Sequence, residues 1–259
     1  MRQTGPHSYT DIGTGPPVIC LHGIGGDDRA FAPMGDHLAQ HARVIAWNLP
    51  GYRNSTPIAP LTFETLTLAL DTFLDALDLP NVTLIGHSIG GMLAQEAALR
   101  LPKRVTRLVL IGTTPAFGGR DDSFKTAFLK DRLAPLDAGQ SMADMAAQAA
   151  PHLVGPDASA DVIAQVAQTI ADTPEPTWRA ILKCLVTFNR RADQPRITQP
   201  SLLIAGGHDQ NAPAKSMAKM AENLPDAAYA CIDSAGHMIQ MEAPAQTTAL
   251  ITNFLDETS

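Results

Sequence analysis

Three residue types that together perform acyl transfer occur in this chain, each just past an apolar, strand-like run. Ser88 lies in Gly86-His87-Ser88-Ile89-Gly90-Gly91, directly after the apolar run 82–85 and directly before a helical stretch at 92–101. This is G-x-S-x-G between strand and helix, the context in which the pattern carries chemistry. A serine there sits at a helix N-terminus, beside backbone N–H groups able to hold an oxyanion. A serine hydroxyl is a weak nucleophile at neutral pH. It needs a base to take its proton, and the base needs a carboxylate that fixes its tautomer. His237, in Asp233-Ser234-Ala235-Gly236-His237-Met238, is the base candidate, and Asp209, in Ala205-Gly206-Gly207-His208-Asp209, is the acid candidate. Asp209 also suits helix capping ahead of Asn211-Ala212-Pro213. The loop after the run ending at Ile111 offers no competing carboxylate before Asp121.

An oxyanion needs two donors. One is expected from the N–H of Ile89, the residue after the serine. The other is expected from the N–H of Ile24, in the glycine-rich loop His22-Gly23-Ile24-Gly25-Gly26.

These groups need a scaffold that brings strand ends together. Apolar runs at 18–21, 44–47, 82–85 and 108–111 alternate with helical stretches at 31–40, 63–77 and 92–101. Uninterrupted apolar strands between helices imply a mostly parallel sheet with right-handed crossovers, covered on both faces. From 115 to 199 no strand is legible, and four helices are predicted instead, at 123–133, 141–150, 159–171 and 177–188. Pro135, Pro151, Pro156, Pro174 and Pro176 punctuate them. The strand–helix rhythm then returns with strands at 201–205 and 228–232 and helices at 214–224 and 244–255. The expected fold class is therefore α/β. A doubly wound sheet is formed by 1–114 and 200–259, with 115–199 inserted as a helical lid. All three candidate side chains then lie at carboxyl ends of strands, where open parallel sheets gather their ligands.

The chain has 259 residues and a formal net charge of −7. No block of lysine or arginine stands out, which argues against nucleic acid and anionic membrane as partners. No run of apolar residues is long enough for a membrane span, and the N-terminus shows no apolar targeting segment. Cys20, Cys184 and Cys231 form an odd, widely spaced set, with Cys20 and Cys231 in apolar runs that read as buried free thiols. Free thiols suit a reducing, cytoplasmic setting. His208 and His237 lack the spacing of a metal-ligand pair, so neither metal nor organic cofactor is expected. His22 and His87 read first as structural. Phe124, Phe128 and Trp178 from the inserted helices, with His22, Gly23 and Met238 beside the reactive loops, are the candidate pocket lining. Arg132, Arg179, Arg190 and Arg191 are candidates for a substrate carboxylate. Oligomeric state is left open.

Taken together, these motifs resemble the α/β-hydrolase fold superfamily over nearly the whole chain. The matching pieces are His22-Gly23, Pro50-Gly51-Tyr52 with Ser55, the Gly86–Gly91 turn, Gly206 through Asp209, and Gly236-His237 followed by Glu242 and Pro244. Within it the chain is most similar to small capped esterases and the 3-oxoadipate enol-lactonase group. The resemblance implies hydrolysis of a small ester or lactone through an acyl-serine. A carbon–carbon bond hydrolase with the same triad, a cofactor-independent oxygenase or perhydrolase, and a non-catalytic receptor remain alternatives. Two positions depart from the family pattern D-x-x-G-x-G-x-S, with Asn48 in place of aspartate and Arg53 in place of glycine. The N-terminal strand region is short, so the first of the usual eight strands is expected to be missing.

Overall fold

In the computed structural model, residues 1–118 and 123–258 are described. Asp121, named above as a more distant carboxylate, lies outside them. Eight strands form one sheet: β1 (Arg2–Thr4), β2 (His7–Ile12), β3 (Pro17–Leu21), β4 (Arg43–Trp47), β5 (Val82–His87), β6 (Val105–Ile111), β7 (Ser201–Gly206) and β8 (Ala227–Ile232). The spatial order is β1-β2-β4-β3-β5-β6-β7-β8. From β4 to β8 every pairing is parallel, while β1 and β2 are antiparallel additions at one edge.

The first strands are therefore present, contrary to expectation. Strand β2, His7-Ser8-Tyr9-Thr10-Asp11-Ile12, carries polar residues and buries only its first half. A half-exposed antiparallel strand of this kind, lying between β1 and β4, lacks the continuous apolar run that marks a central parallel strand. Position at a sheet edge corrects the reading of Cys231. It lies on β8 at the opposite edge of the sheet and is exposed, whereas Cys20 and Cys184 are buried.

Helices α1 (Ala32–Leu38), α2 (Phe63–Ala76) and α3 (Ile89–Arg100) connect the first strands. Among the described residues, four α-helices stand between β6 and β7, namely α4 (Ser123–Asp137), α5 (Met142–Ala149), α6 (Ala160–Ala171) and α7 (Glu175–Leu185). Three more complete the chain: α8 (Ala214–Asn223), α9 (Ile239–Glu242) and α10 (Pro244–Glu257). Two prolines act differently from the punctuation expected of them. Pro176 opens α7 from the first turn, where its missing N–H has no intrahelical acceptor to lose. Pro135 sits inside the last turn of α4, which runs on to Asp137.

Both sheet faces are covered. Ile19, Leu21, Leu84 and Leu110 point into one core with Leu70 and Phe73 of α2 and Leu93 of α3. Their strand neighbours Val18, Cys20, Ile85 and Val109 point the other way, onto Phe31, Met34 and Leu38 near α1 and Ile251 and Phe254 of α10. Strand alternation thus sorts consecutive apolar residues between two cores. Burying a Leu- or Phe-sized side chain in them contributes about 1.5–3 kcal/mol each.

Candidate active site

The turn from β5 into α3 is sharp. Ser88 takes φ 55°, ψ −121°, a conformation that costs a non-glycine residue roughly 1–3 kcal/mol. Two glycines make the turn sterically possible. A Cβ on Gly86 would lie 2.4 Å from the Gly90 carbonyl oxygen, and one on Gly90 would lie 2.1 Å from that of Leu21. The turn is anchored from β6 and the residues after it: Ser88 N–H donates to the Ile111 carbonyl at 3.0 Å, and the Ser88 carbonyl accepts from Thr113 Oγ1 at 2.7 Å.

The strained turn aims Ser88 at His237. The Ser88 Oγ–His237 Nε2 distance is 3.1 Å, and His237 Nδ1 lies 2.8 Å from Asp209 Oδ2. An ionised carboxylate only accepts hydrogen bonds, so the proton belongs on Nδ1 and Nε2 is left as an acceptor facing the serine hydroxyl. The second Asp209 oxygen accepts from the N–H groups of Asn211 and Ala212 at 2.7 and 3.0 Å. The capping role and the histidine contact are thus performed by different oxygens of one side chain. Burial pushes the Asp209 carboxyl up. The charge and hydrogen bond of His237, with the two N–H groups, outweigh burial and hold it below the usual carboxylate range.

Each of these side chains follows a parallel strand. Ser88 follows β5, Asp209 follows β7 and His237 follows β8. The loop carrying Ile24 follows β3, which pairs directly with β5. Ile89, at the first position of α3, has an N–H without an intrahelical acceptor. Gly23 brings the Ile24 loop close, since a Cβ there would lie 2.8 Å from His87 Nδ1 and 3.1 Å from Ser88 Cβ.

A cavity of about 920 Å³ meets these groups, with Ile24, Ser88 and His237 in its wall. Of the expected pocket residues, Phe124, Phe128, Trp178 and Met238 line it. His22 and Gly23 do not. His22 is fully buried; its Nδ1 donates to the Gly23 carbonyl at 2.8 Å and its Nε2 accepts from Leu49 N–H at 3.0 Å. Of the candidate arginines, Arg132 and Arg191 reach the cavity. Arg179 pairs with Glu175 and Asp137, each at 2.7 Å, and Arg190 is held by Glu96. Among the described residues no group of three or more histidine, cysteine or acidic side chains could hold a metal ion.

The departures from the family pattern are both accommodated. Asn48 accepts from Asp28 N–H at 2.8 Å and donates to Ser8 Oγ at 3.1 Å, which ties β4 to β2. Arg53 adopts φ 51°, the left-handed conformation that a glycine would take freely.

Several supporting groups carry no sequence signal. Gly112, after β6, packs beneath the acid–base pair, and a Cβ there would lie 3.3 Å from Asp209 Oδ2. His87 donates from Nε2 to the His237 carbonyl at 2.8 Å. Burial and the neighbouring His237 depress the His87 pKa to about 3, so its ring is neutral.

Comparison with known proteins agrees with this architecture. The family model of the alpha/beta hydrolase fold matches residues 16–244. Pimeloyl-[acyl-carrier protein] methyl ester esterase of Nitrosomonas europaea is 29% identical over 244 residues, covering 90% of this chain and 93% of that protein. A thermophilic esterase from Thermogutta terrifontis superposes with TM-score 0.87 at 25% identity, over 97% of this chain and 93% of its own. The enol-lactonase from Burkholderia xenovorans LB400 shares the fold with TM-score 0.85 at 22% identity, over 96% of each chain. With its matched length, its sheet order and its strand–turn–helix serine, the chain belongs to the α/β-hydrolase fold family.

Proposed function

We propose that this protein is a serine hydrolase that cleaves a small carboxylic ester or lactone through an acyl-serine. The observation that carries the reading is the unbroken relay Ser88 Oγ–His237–Asp209 opening into a largely apolar cavity. Ser88 Oγ attacks the acyl carbon as its proton passes to His237 Nε2. The carbonyl oxygen becomes an oxyanion facing the N–H groups of Ile24 and Ile89. The tetrahedral intermediate collapses, the carbon–oxygen bond breaks, and His237 returns the proton to the leaving alkoxide. In the second half His237 takes a proton from water, the resulting hydroxide attacks the acyl-serine, and Ser88 regains its proton as the acid departs. Asp209 keeps the imidazole in the productive tautomer throughout and stabilises its charged form. The names of the related esterases support an ester as the bond broken. Phe124, Phe128, Trp178 and Met238 are proposed to hold the substrate, with α4–α7 as the lid over it. The buried free thiols of Cys20 and Cys184 suit a cytoplasmic setting.

The test is hydrolysis of short-chain p-nitrophenyl esters with and without a serine-directed organophosphonate, followed by intact-mass analysis and peptide mapping. Turnover abolished together with a single adduct on Ser88 supports the proposal. A protein that neither turns over nor labels contradicts it.

A further inference from the structure

A second carboxylate, outside the relay, grips the histidine loop and the inserted helices at once. Glu242, the last residue of α9, accepts from Gly155 N–H with Oε2 at 2.6 Å. Gly236 N–H reaches both of its oxygens, at 3.0 and 2.9 Å, and Met238 N–H donates to Oε1 at 3.0 Å. Gly236 and Met238 flank His237 on either side. Gly155 belongs to the insertion, in the segment between the short helical turn Ala150–His152 and α6.

The main chain repeats the connection. His237 N–H donates to the Leu153 carbonyl at 2.8 Å, while the His237 carbonyl accepts from His87 at 2.8 Å. The two segments also meet without room for side chains. A Cβ on Gly155 would lie 2.3 Å from the Ser234 carbonyl oxygen, and one on Gly236 would lie 2.4 Å from Gly155 N. Besides the Asp209 contact to its ring, the main chain at and beside His237 is thus held by Glu242, Leu153 and His87.

We propose that Glu242 is a positioning residue that couples the seating of the inserted segment 153–155 to the placement of His237. The proposal rests on the reading of His237 as the base. A carboxylate offers lone pairs on two oxygens, enough for all three N–H groups, and its charge strengthens each bond. An amide at this position has one acceptor oxygen. Its NH2 would face an N–H, so either the insertion or the histidine loop is released.

The experiment uses the full chain and two variants, Glu242→Gln and Gly155→Ala. The first removes the shared acceptor. The second leaves the carboxylate intact but forces segment 155 away from Ser234. For each, melting temperature, kcat and KM on a p-nitrophenyl ester, and the low-field proton resonance of His237 Nδ1–H are measured. In both variants kcat is expected to fall by roughly ten- to a hundredfold with KM unchanged, because small misplacements of a reacting group cost rate rather than binding. The low-field resonance is expected to shift or broaden. A folded Glu242→Gln protein with wild-type kcat and an unchanged resonance overturns the proposal. So does a loss confined to melting temperature, or an effect in Glu242→Gln with none in Gly155→Ala. If Glu242→Gln does not fold, Gly155→Ala decides alone. Absence of a phosphonate adduct on the wild-type protein removes the parent reading instead, independently of both variants.

Discussion

Asp209 meets His237 with one carboxylate oxygen, at 2.8 Å from Nδ1, while its other oxygen holds the N–H groups of Asn211 and Ala212. Asp209→Asn separates these functions. The asparagine oxygen can keep the two N–H contacts, which leaves its NH2 facing His237 Nδ1 and drives the ring into the wrong tautomer. Turnover is expected to fall by on the order of 10⁴ with the fold retained. Steady-state kinetics beside a thermal melt checks this; a loss below tenfold in the folded variant contradicts the assigned tautomer.

Ser88, the proposed nucleophile, also carries backbone strain, so two substitutions should part company. Ser88→Ala and Ser88→Gly should each lose on the order of 10⁴–10⁶ in turnover. Only glycine relieves the positive φ, partly offset by its larger unfolded-state entropy, so Ser88→Gly should be more stable than Ser88→Ala by about 1 kcal/mol. Denaturant melts of the pair provide the comparison, and equal midpoints would argue against strain at residue 88.

Acid should destabilise the protein through His87. Burial first, and then the neighbouring His237, lower its pKa from 6.5 to about 3. Between those values the unfolded chain binds a proton that the folded one refuses. Stability should therefore be full above the unfolded value and decline as pH drops from about 6.5 towards about 3. Burial lowers the His22 pKa as well, so His22 adds in the same direction. Chemical denaturation at a series of pH values measures the slope. A His87→Asn variant should show a shallower one.

The inserted helices are fastened to the core through Glu96 on α3, whose carboxylate is 1% exposed and lies 2.5 Å from both Arg100 Nε and Arg190 Nε. Burial pushes the Glu96 pKa up, but the two arginines outweigh it and hold it below the usual range. Glu96→Ala should cost about 1–2 kcal/mol, because it removes charge-assisted hydrogen bonds whose worth is reduced by the solvent reaching Arg100 and Arg190. The wild-type contribution should be present above the ordinary carboxylate pKa and fade as pH falls through the lowered value, so the variant's deficit should shrink in acid. Paired urea melts at neutral and acid pH test both parts.

What was legible in the sequence was local. The alternation of apolar runs with amphipathic stretches announced the central parallel strands, because a strand covered on both faces has no polar side to show. Gly86, Ser88 and Gly90 are legible for a similar reason. A strand can turn into a helix that sharply only where side chains are absent, and that requirement is written within five consecutive residues. Asp209 and His237 followed because each comes directly after an apolar strand. The antiparallel strands β1 and β2 were not legible, since half-exposed strands carry mixed polarity.

Tertiary structure alone decided how these residues are held. Nothing in the sequence around Glu242 says that its acceptors' partners are N–H groups on both sides of His237 and one from 87 residues away. Nor could sequence separate Phe128, which lines the cavity, from His22, which does not. Side-chain identity specifies what a residue can donate, accept or bury. Which backbone group it meets depends on contacts distant in the chain, and those exist only once the sheet has closed its order and the inserted helices have settled across the strand ends.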